Sequence, residues 1–145
     1  MTVIWQRAAA YVVLKDADAR ILLTRFEVAG HRASGSWTLP GGGMEWGEQA
    51  VETATRELRE ETDLTATIGS LLGSYSEWTT AENSHRGHSG HSLKLIFAAS
   101  DPAGDLKRDF SDDDTTVDAA WFSLGDVQSL RRVPVVDFAL TLIER

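Results

Sequence analysis

Pro40-Gly41-Gly42-Gly43-Met44-Glu45-Trp46-Gly47-Glu48, continuing into Arg56-Glu57-Leu58-Arg59-Glu60-Glu61-Thr62-Asp63-Leu64, is the stretch that decides what this chain folds into. It has the composition of a glycine-rich loop feeding a helix whose far end is crowded with carboxylates. At ~100° per residue, Glu57, Glu60 and Glu61 fall within roughly 100° of one another, and Val51, Ala54 and Leu58 form a neighbouring apolar stripe. One face packs; the next carries three negative charges.

Like charges at i,i+3 and i,i+4 destabilise a helix by a few tenths of a kcal/mol per pair, and Glu57 faces both Glu60 and Glu61. Two accounts fit the cluster. One is a solvated face partly neutralised by Arg56 and Arg59. The other is a site for a hard cation, because Mg²⁺ and Mn²⁺ take oxygen ligands and phosphate oxygens can complete their shell. The preceding glycines favour the second, since they let main-chain groups approach a ligand closely. If repulsion dominates, Glu57→Gln should stabilise the metal-free chain.

These residues resemble the signature of the Nudix hydrolases, G-x5-E-x7-R-E-U-x-E-E-x-G-U with U aliphatic. Here it runs over 42–64 as Gly42, Glu48, Arg56-Glu57-Leu58, Glu60-Glu61 and Asp63-Leu64. Six fixed residues match, and at average frequencies of ~6% each such a match arises by chance in fewer than about one in 10⁵ chains of this length. The departure is Asp63, where the family has Gly. Asp is among the few residues that tolerate the left-handed conformation a helix C-terminus uses there.

The resemblance implies a single α/β (α+β) domain over 1–145, an α/β/α sandwich around a mixed β-sheet. It also implies Mg²⁺, or Mn²⁺, held by Glu57, Glu60, Glu61 and the Gly41 carbonyl. Arg56 would orient the glutamates, with Glu57 and Glu61 as catalytic carboxylates. Gly42, Gly43, Arg25 and His91 are the candidate substrate contacts. The implied reaction is hydrolysis of a nucleoside diphosphate linked to another moiety, with a (deoxy)nucleoside triphosphate or related derivative as the leading substrate class. The general base stays open among Glu57, Glu82 and Asp112. A catalytically silent nucleotide-binding module is the alternative, although degenerate members normally lose a signature glutamate and this chain keeps all three.

Subfamily markers are mostly negative. The ADP-ribose branch usually carries Pro some fifteen residues beyond the signature, where this chain has Thr79 and Thr80. A coenzyme A marker is unmatched, and the isomerase branch depends on a Cys that is absent here.

The net charge of −8 argues against binding a nucleic-acid polymer or an anionic membrane. A local basic patch can still grip a small anion. No cysteine is present, which excludes disulfides and thiolate chemistry. Without a signal-like start or an apolar run near ~18 residues, a cytoplasmic protein is expected. A homodimer is compatible with this composition.

In chain order, Ala8–Leu14 and Ile21–Leu23 flank a polar turn and predict a hairpin. Arg25 can contact phosphate or pair at the surface. Trp37–Leu39 predicts a short strand, and all five tryptophans are taken first as packing residues. Gly47 is a candidate N-cap, which puts Glu48 in the first helical turn and lets Arg56 pair with Glu52. Thr65–Tyr75 predicts a strand bulged near Gly69 and Gly73. Trp78–Ser92 reads as a loop carrying His85, His88 and His91, whose spacing is a poor zinc cage; an exposed variable loop and a loop that contacts substrate both fit it. Leu93–Ala99 predicts a buried strand, 100–118 an acidic loop with Asp112, Asp113 and Asp114, and Ala119–Phe122 a last strand. Ser123 and Pro134 are placed to start two helices.

Overall fold

The computed structural model describes residues 4–84 and 87–143. Strands β1 (Ile4–Leu14), β4 (Gly41–Gly43), β5 (Thr65–Thr79) and β6 (Ser89–Ala103) form a mixed sheet in the order β4-β1-β6-β5. Strands β2 (Ile21–Phe26), β3 (Trp37–Thr38) and β7 (Thr116–Phe122) form a second, antiparallel sheet in the order β3-β2-β7. Three helices complete the fold, α1 (Ala50–Thr62), α2 (Leu124–Val127) and α3 (Pro134–Ile143).

β1 organises the layers. It is central, parallel to β6 and antiparallel to β4, and its second half is buried on both faces. Alternation sends Ala10, Val12 and Leu14 to a core shared with Ala54 and Leu58 of α1, and Ala9, Tyr11 and Val13 to a core shared with Val135, Val136 and Ala139 of α3. Leu22 joins the first core and Ile21 and Leu23 the second, so both sheets are sandwiched between α1 and α3. This is the expected α/β/α arrangement, built on two sheets instead of one.

The hairpin expectation fails for the same reason. β1 and β2 are joined by the 16–20 turn and meet only at the bridge Lys15↔Ile21. β1 pairs with β6 along its whole length and with β4 at Ala9–Tyr11, and β2 crosses to the other sheet to pair with β3 and β7.

α1 begins later than the sequence suggests. Gln49 is its N-cap, in a capping box with Glu52, while Gly47 lies outside at φ +87°. Val51 is 45% exposed and not part of the packed stripe. Thr53, Ala54, Leu58 and Thr62 are the buried residues. Asp63 ends the helix at φ 63°, its N–H bonded to the Arg59 carbonyl, as expected for the signature's glycine position.

β5 shows register shifts around Ile68, Leu71 and Gly73, so the bulged strand is present and longer than expected. The histidine segment is shorter than expected, because β5 continues through Thr79 and β6 begins at Ser89. His85 lies outside the described residues. Ser123 caps α2 by accepting from Asp126 N–H, and Pro134 opens α3, as read from the sequence. Trp37 and Trp121 pack against the cores, whereas Trp46 is fully exposed and Trp78 is 74% exposed.

Candidate active site

The three glycines of β4 sit between two faces. A Cβ on Gly42 would lie 2.7 Å from the Glu57 carboxyl, and one on Gly43 would lie 2.8 Å from Arg7 Nε. Gly41 has φ +154° and its Cβ would strike the Tyr11 ring and the Ala10 carbonyl. The glycines therefore form a short strand instead of a loop. Close approach of charged side chains on both faces is what requires them.

Arg56 joins that strand to the helix. Its Nε and Nη2 donate to Glu48 at 2.7 and 3.0 Å, and Nη2 also donates to the Gly43 carbonyl at 3.1 Å. Its Nη1 reaches Glu57 at 3.0 Å and Glu60 at 3.2 Å. The expected Arg56–Glu52 pair is replaced by Arg56–Glu48, because Glu52 is used in the capping box. Glu48 precedes the helix and also accepts from Glu45 N–H and the Thr53 hydroxyl. Those hydrogen bonds, Arg56 first, hold its carboxyl down at about 2.

Glu61 occupies a different environment. Its Oε1 accepts from Gly41 N–H at 2.8 Å and its Oε2 from Thr116 Oγ1 at 3.1 Å. Burial outweighs both contacts and, with the charges of Glu57 and Asp113, pushes the carboxyl up to about 8. Burial likewise raises Glu57 against the opposing pull of Arg56. Glu60 is exposed.

Glu57, Glu60 and Glu61 line one cavity of about 650 Å³, together with Asp112, Asp113, Asp114 and Thr116. Lys107, nearly buried, draws the acidic segment in: its Nζ bonds the Glu60 carbonyl at 2.9 Å and pairs with Asp112 at 3.3 Å. Asp113 Oδ1 accepts from Thr115 and Thr116 N–H, fixing the start of β7. Among the described residues no three His, Asp or Glu groups converge in metal-ligating geometry. Arg56 stands between Glu57 and Glu60, and Glu61 is turned toward Gly41 and Thr116. The donor set nevertheless fits a hard cation. It offers oxygens only, and two of its carboxyls are held above their ordinary range by burial and mutual repulsion, which a cation would relieve.

The other sequence candidates are scattered. Arg25 pairs with Glu27 at 3.2 Å and lies over the Trp37 ring, 6.0 Å from its centroid. Glu82 is exposed and outside the carboxylate cavity. His91 stacks on Trp78 at 4.8 Å with a 2° interplanar angle, and strand alternation turns it to the face opposite Ser92 and Lys94. The His88 carbonyl accepts from Trp5 Nε1. Sequence reasoning missed Arg7, Lys94, Lys107 and Thr116. Lys94 had a signal, being the one charge in the apolar run Leu93–Ala99.

A model of the NUDIX domain family matches residues 5–140. The chain belongs to that family. Over 79% of its length it is 32% identical to an ADP-ribose pyrophosphatase of Methanocaldococcus jannaschii, covering 61% of that protein. Over 77% it is 34% identical to the human 8-oxo-dGDP phosphatase NUDT18, covering 30% of it. This NUDIX domain thus spans less than two thirds of those curated relatives. A NUDIX hydrolase structure from Nitrosomonas europaea superposes with a TM-score of 0.75 at 26% identity, covering 97% of this chain and 89% of the other. Among the described residues of the NUDIX domain, no helix is long and apolar enough to cross a membrane.

Proposed function

We propose that this chain hydrolyses the diphosphate bond of a nucleoside diphosphate linked to another moiety, with Mg²⁺ or Mn²⁺ held by Glu57, Glu60, Glu61 and the Gly41 carbonyl. The observation that carries this is the placement of the three glutamates at one cavity against the glycine strand. When bound, such a cation neutralises phosphate charge and supplies Lewis-acid activation. Arg56 orients Glu57 and Glu60 through Nη1 and holds the glycine strand through Nη2. Glu57 and Glu61 are the proposed catalytic carboxylates; burial holds both above their ordinary range, and a cation beside them would favour the ionised forms that can accept a proton from an attacking water.

Two substrate classes are supported. The relatives named for 8-oxo-dGDP and ADP-ribose act on small nucleotides, so ADP-ribose belongs beside the nucleoside triphosphates despite Thr79 and Thr80. A panel assay tests both: phosphate release from nucleoside tri- and diphosphates, oxidised guanine nucleotides and nucleotide sugars, with Mg²⁺ and a coupling phosphatase. Metal-dependent release from one class is expected. No hydrolysis across the panel, or turnover unchanged in excess chelator, would reject the activity.

A further inference from the structure

The cleft between the two sheets carries an arginine, Arg7, that no carboxylate of the described residues contacts directly; its recorded electrostatic partner is Glu57, on the other face of the glycine strand. Alternation along β1 sends Arg7 to the same side as Ala9 and Tyr11, where Lys94 and Glu77 also face. These side chains line two adjoining cavities of about 290 and 410 Å³ that share Arg7, His31, Glu77 and Lys94. The larger is also lined by Gly41 and Glu61, so the cleft opens onto the carboxylate site.

Apart from Arg32, which is exposed at the rim of the smaller cavity, the neighbouring basic groups are committed. Lys94 pairs with Glu77 at 3.1 Å over the Tyr11 ring, Arg25 pairs with Glu27, and Arg56 is shared among four glutamates. Arg7 is half-buried and makes no hydrogen bond or ion pair among the described residues. Its guanidinium lies against the backbone of Gly43, where a Cβ would come within 2.8 Å of Nε and 3.3 Å of Nη2. A guanidinium so placed presents a planar fork of donors to the cleft, the geometry that matches phosphate oxygens. The chain's −8 charge repels anions at long range, so a local cation is needed to seat one.

We infer that Arg7 is the anion anchor of this cleft, gripping the phosphate chain of an organic polyphosphate from the side of the glycine strand opposite Glu57. The attached group then lies among Tyr11, Phe26 and Val28, which line the same cavity. The assignment rests on the proposed nucleotide substrate, but it concerns binding and is separable from hydrolysis.

The test is equilibrium titration of the full chain in chelator with α,β-methylene-ADP and with inorganic pyrophosphate. Arg7→Met should weaken methylene-ADP binding about tenfold or more, which is about 1.4 kcal/mol, and Arg7→Lys should fall between it and wild type. Lys15→Met removes the same formal charge from an exposed site and should leave affinity within about twofold. In turnover, Arg7→Met should raise KM more than it lowers kcat. Should Arg7→Met fail to fold by circular dichroism, Gly43→Ala replaces it. That variant keeps the charge but displaces the guanidinium, and it should weaken binding severalfold. Equal affinity of wild type and the folded Arg7 variants overturns the inference, as does an equal loss in Lys15→Met or no wild-type binding at millimolar probe. Intact, Arg7-dependent binding with no hydrolysis counts against the proposed activity alone.

Discussion

Glu48 and Arg56 are joined by a two-pronged ion pair, Nε to Oε2 at 2.7 Å and Nη2 to Oε1 at 3.0 Å, although Glu48 lies outside the helix that carries Arg56. The pair ties the approach segment to α1, and the additional bond from Nη2 to the Gly43 carbonyl brings the glycine strand with it. A paired, half-buried guanidinium of this kind is structural before it is catalytic. Arg56→Met should lose about 1.5–3 kcal/mol for hydrogen bonds to charged groups. For a domain of this size that lowers the melting temperature by about 3–12 °C. An unchanged melting temperature with lost activity would show that Arg56 acts only on the reaction.

Glu57→Gln is expected to behave differently from what helix-surface repulsion alone predicts. Glu57 accepts a hydrogen bond from Arg56 Nη1 at 3.0 Å and its side chain is only 17% exposed. Arg56 already offsets the Glu57–Glu60 repulsion, so the substitution removes an attractive contact along with the repulsive ones. The metal-free variant should melt within about 2 °C of wild type, while Mg²⁺ should stabilise wild type more than the variant. Thermal unfolding with and without Mg²⁺ checks this, and equal Mg²⁺ stabilisation would remove Glu57 from the metal site.

The pH dependence of stability separates Glu61 from Glu48. Glu61 is raised from 4.5 to about 8, so between those values the folded chain holds the proton that the unfolded chain has released. Its contribution is full below the unfolded value and is lost as pH rises through about 8. Glu48 is lowered to about 2, so its contribution is full above 4.5 and is lost as pH falls through about 2. In chelator, wild type should therefore lose stability from about pH 5 to 8, and Glu61→Gln should flatten that decline. Parallel curves for the two proteins would show that Glu61 is already ionised in the fold.

Gly42→Ala should damage the site more than the fold. The added methyl would stand 2.7 Å from the Glu57 carboxyl, the end of a flexible side chain, and would displace it from the glycine strand. Turnover should fall by an order of magnitude or more, measured at saturating substrate. Wild-type turnover in this variant would mean that Glu57 need not lie against Gly42.

Asp63→Gly should stabilise the chain. Asp63 sits at φ 63° with its N–H on the Arg59 carbonyl, a conformation that costs an L-residue about 1–2 kcal/mol, less for Asp, and glycine little. A gain of about 0.5–1 kcal/mol corresponds to about 1–4 °C in melting temperature. A lower melting temperature would point to a contact of the Asp63 carboxylate that outweighs the backbone strain.

What the sequence determined by itself is local. The spacing of Glu57, Glu60 and Glu61 places them on one helical face whatever surrounds the helix, because 3.6 residues per turn is a property of the backbone. Asp63 as a left-handed terminus, Ser123 as a cap and Pro134 as a first helical residue follow from the same short-range chemistry. The tertiary structure decided every partner separated by more than a turn or two. Whether Arg56 meets Glu52 or Glu48 depends on where the approach segment docks, and whether β1 pairs with β2 depends on which strands the fold sets beside each. In the sequence Arg7 is an ordinary surface-type residue, and Lys94 stands out only as the one charge in the apolar run Leu93–Ala99. They meet in one cleft because the parallel register of β1 and β6 sets Ala9 beside Lys94 and strand alternation sends both charges to the same face. The setting of Glu61, in which burial raises the carboxyl to about 8 against the hydrogen bonds from Gly41 and Thr116, is likewise assembled only by the folded sheets.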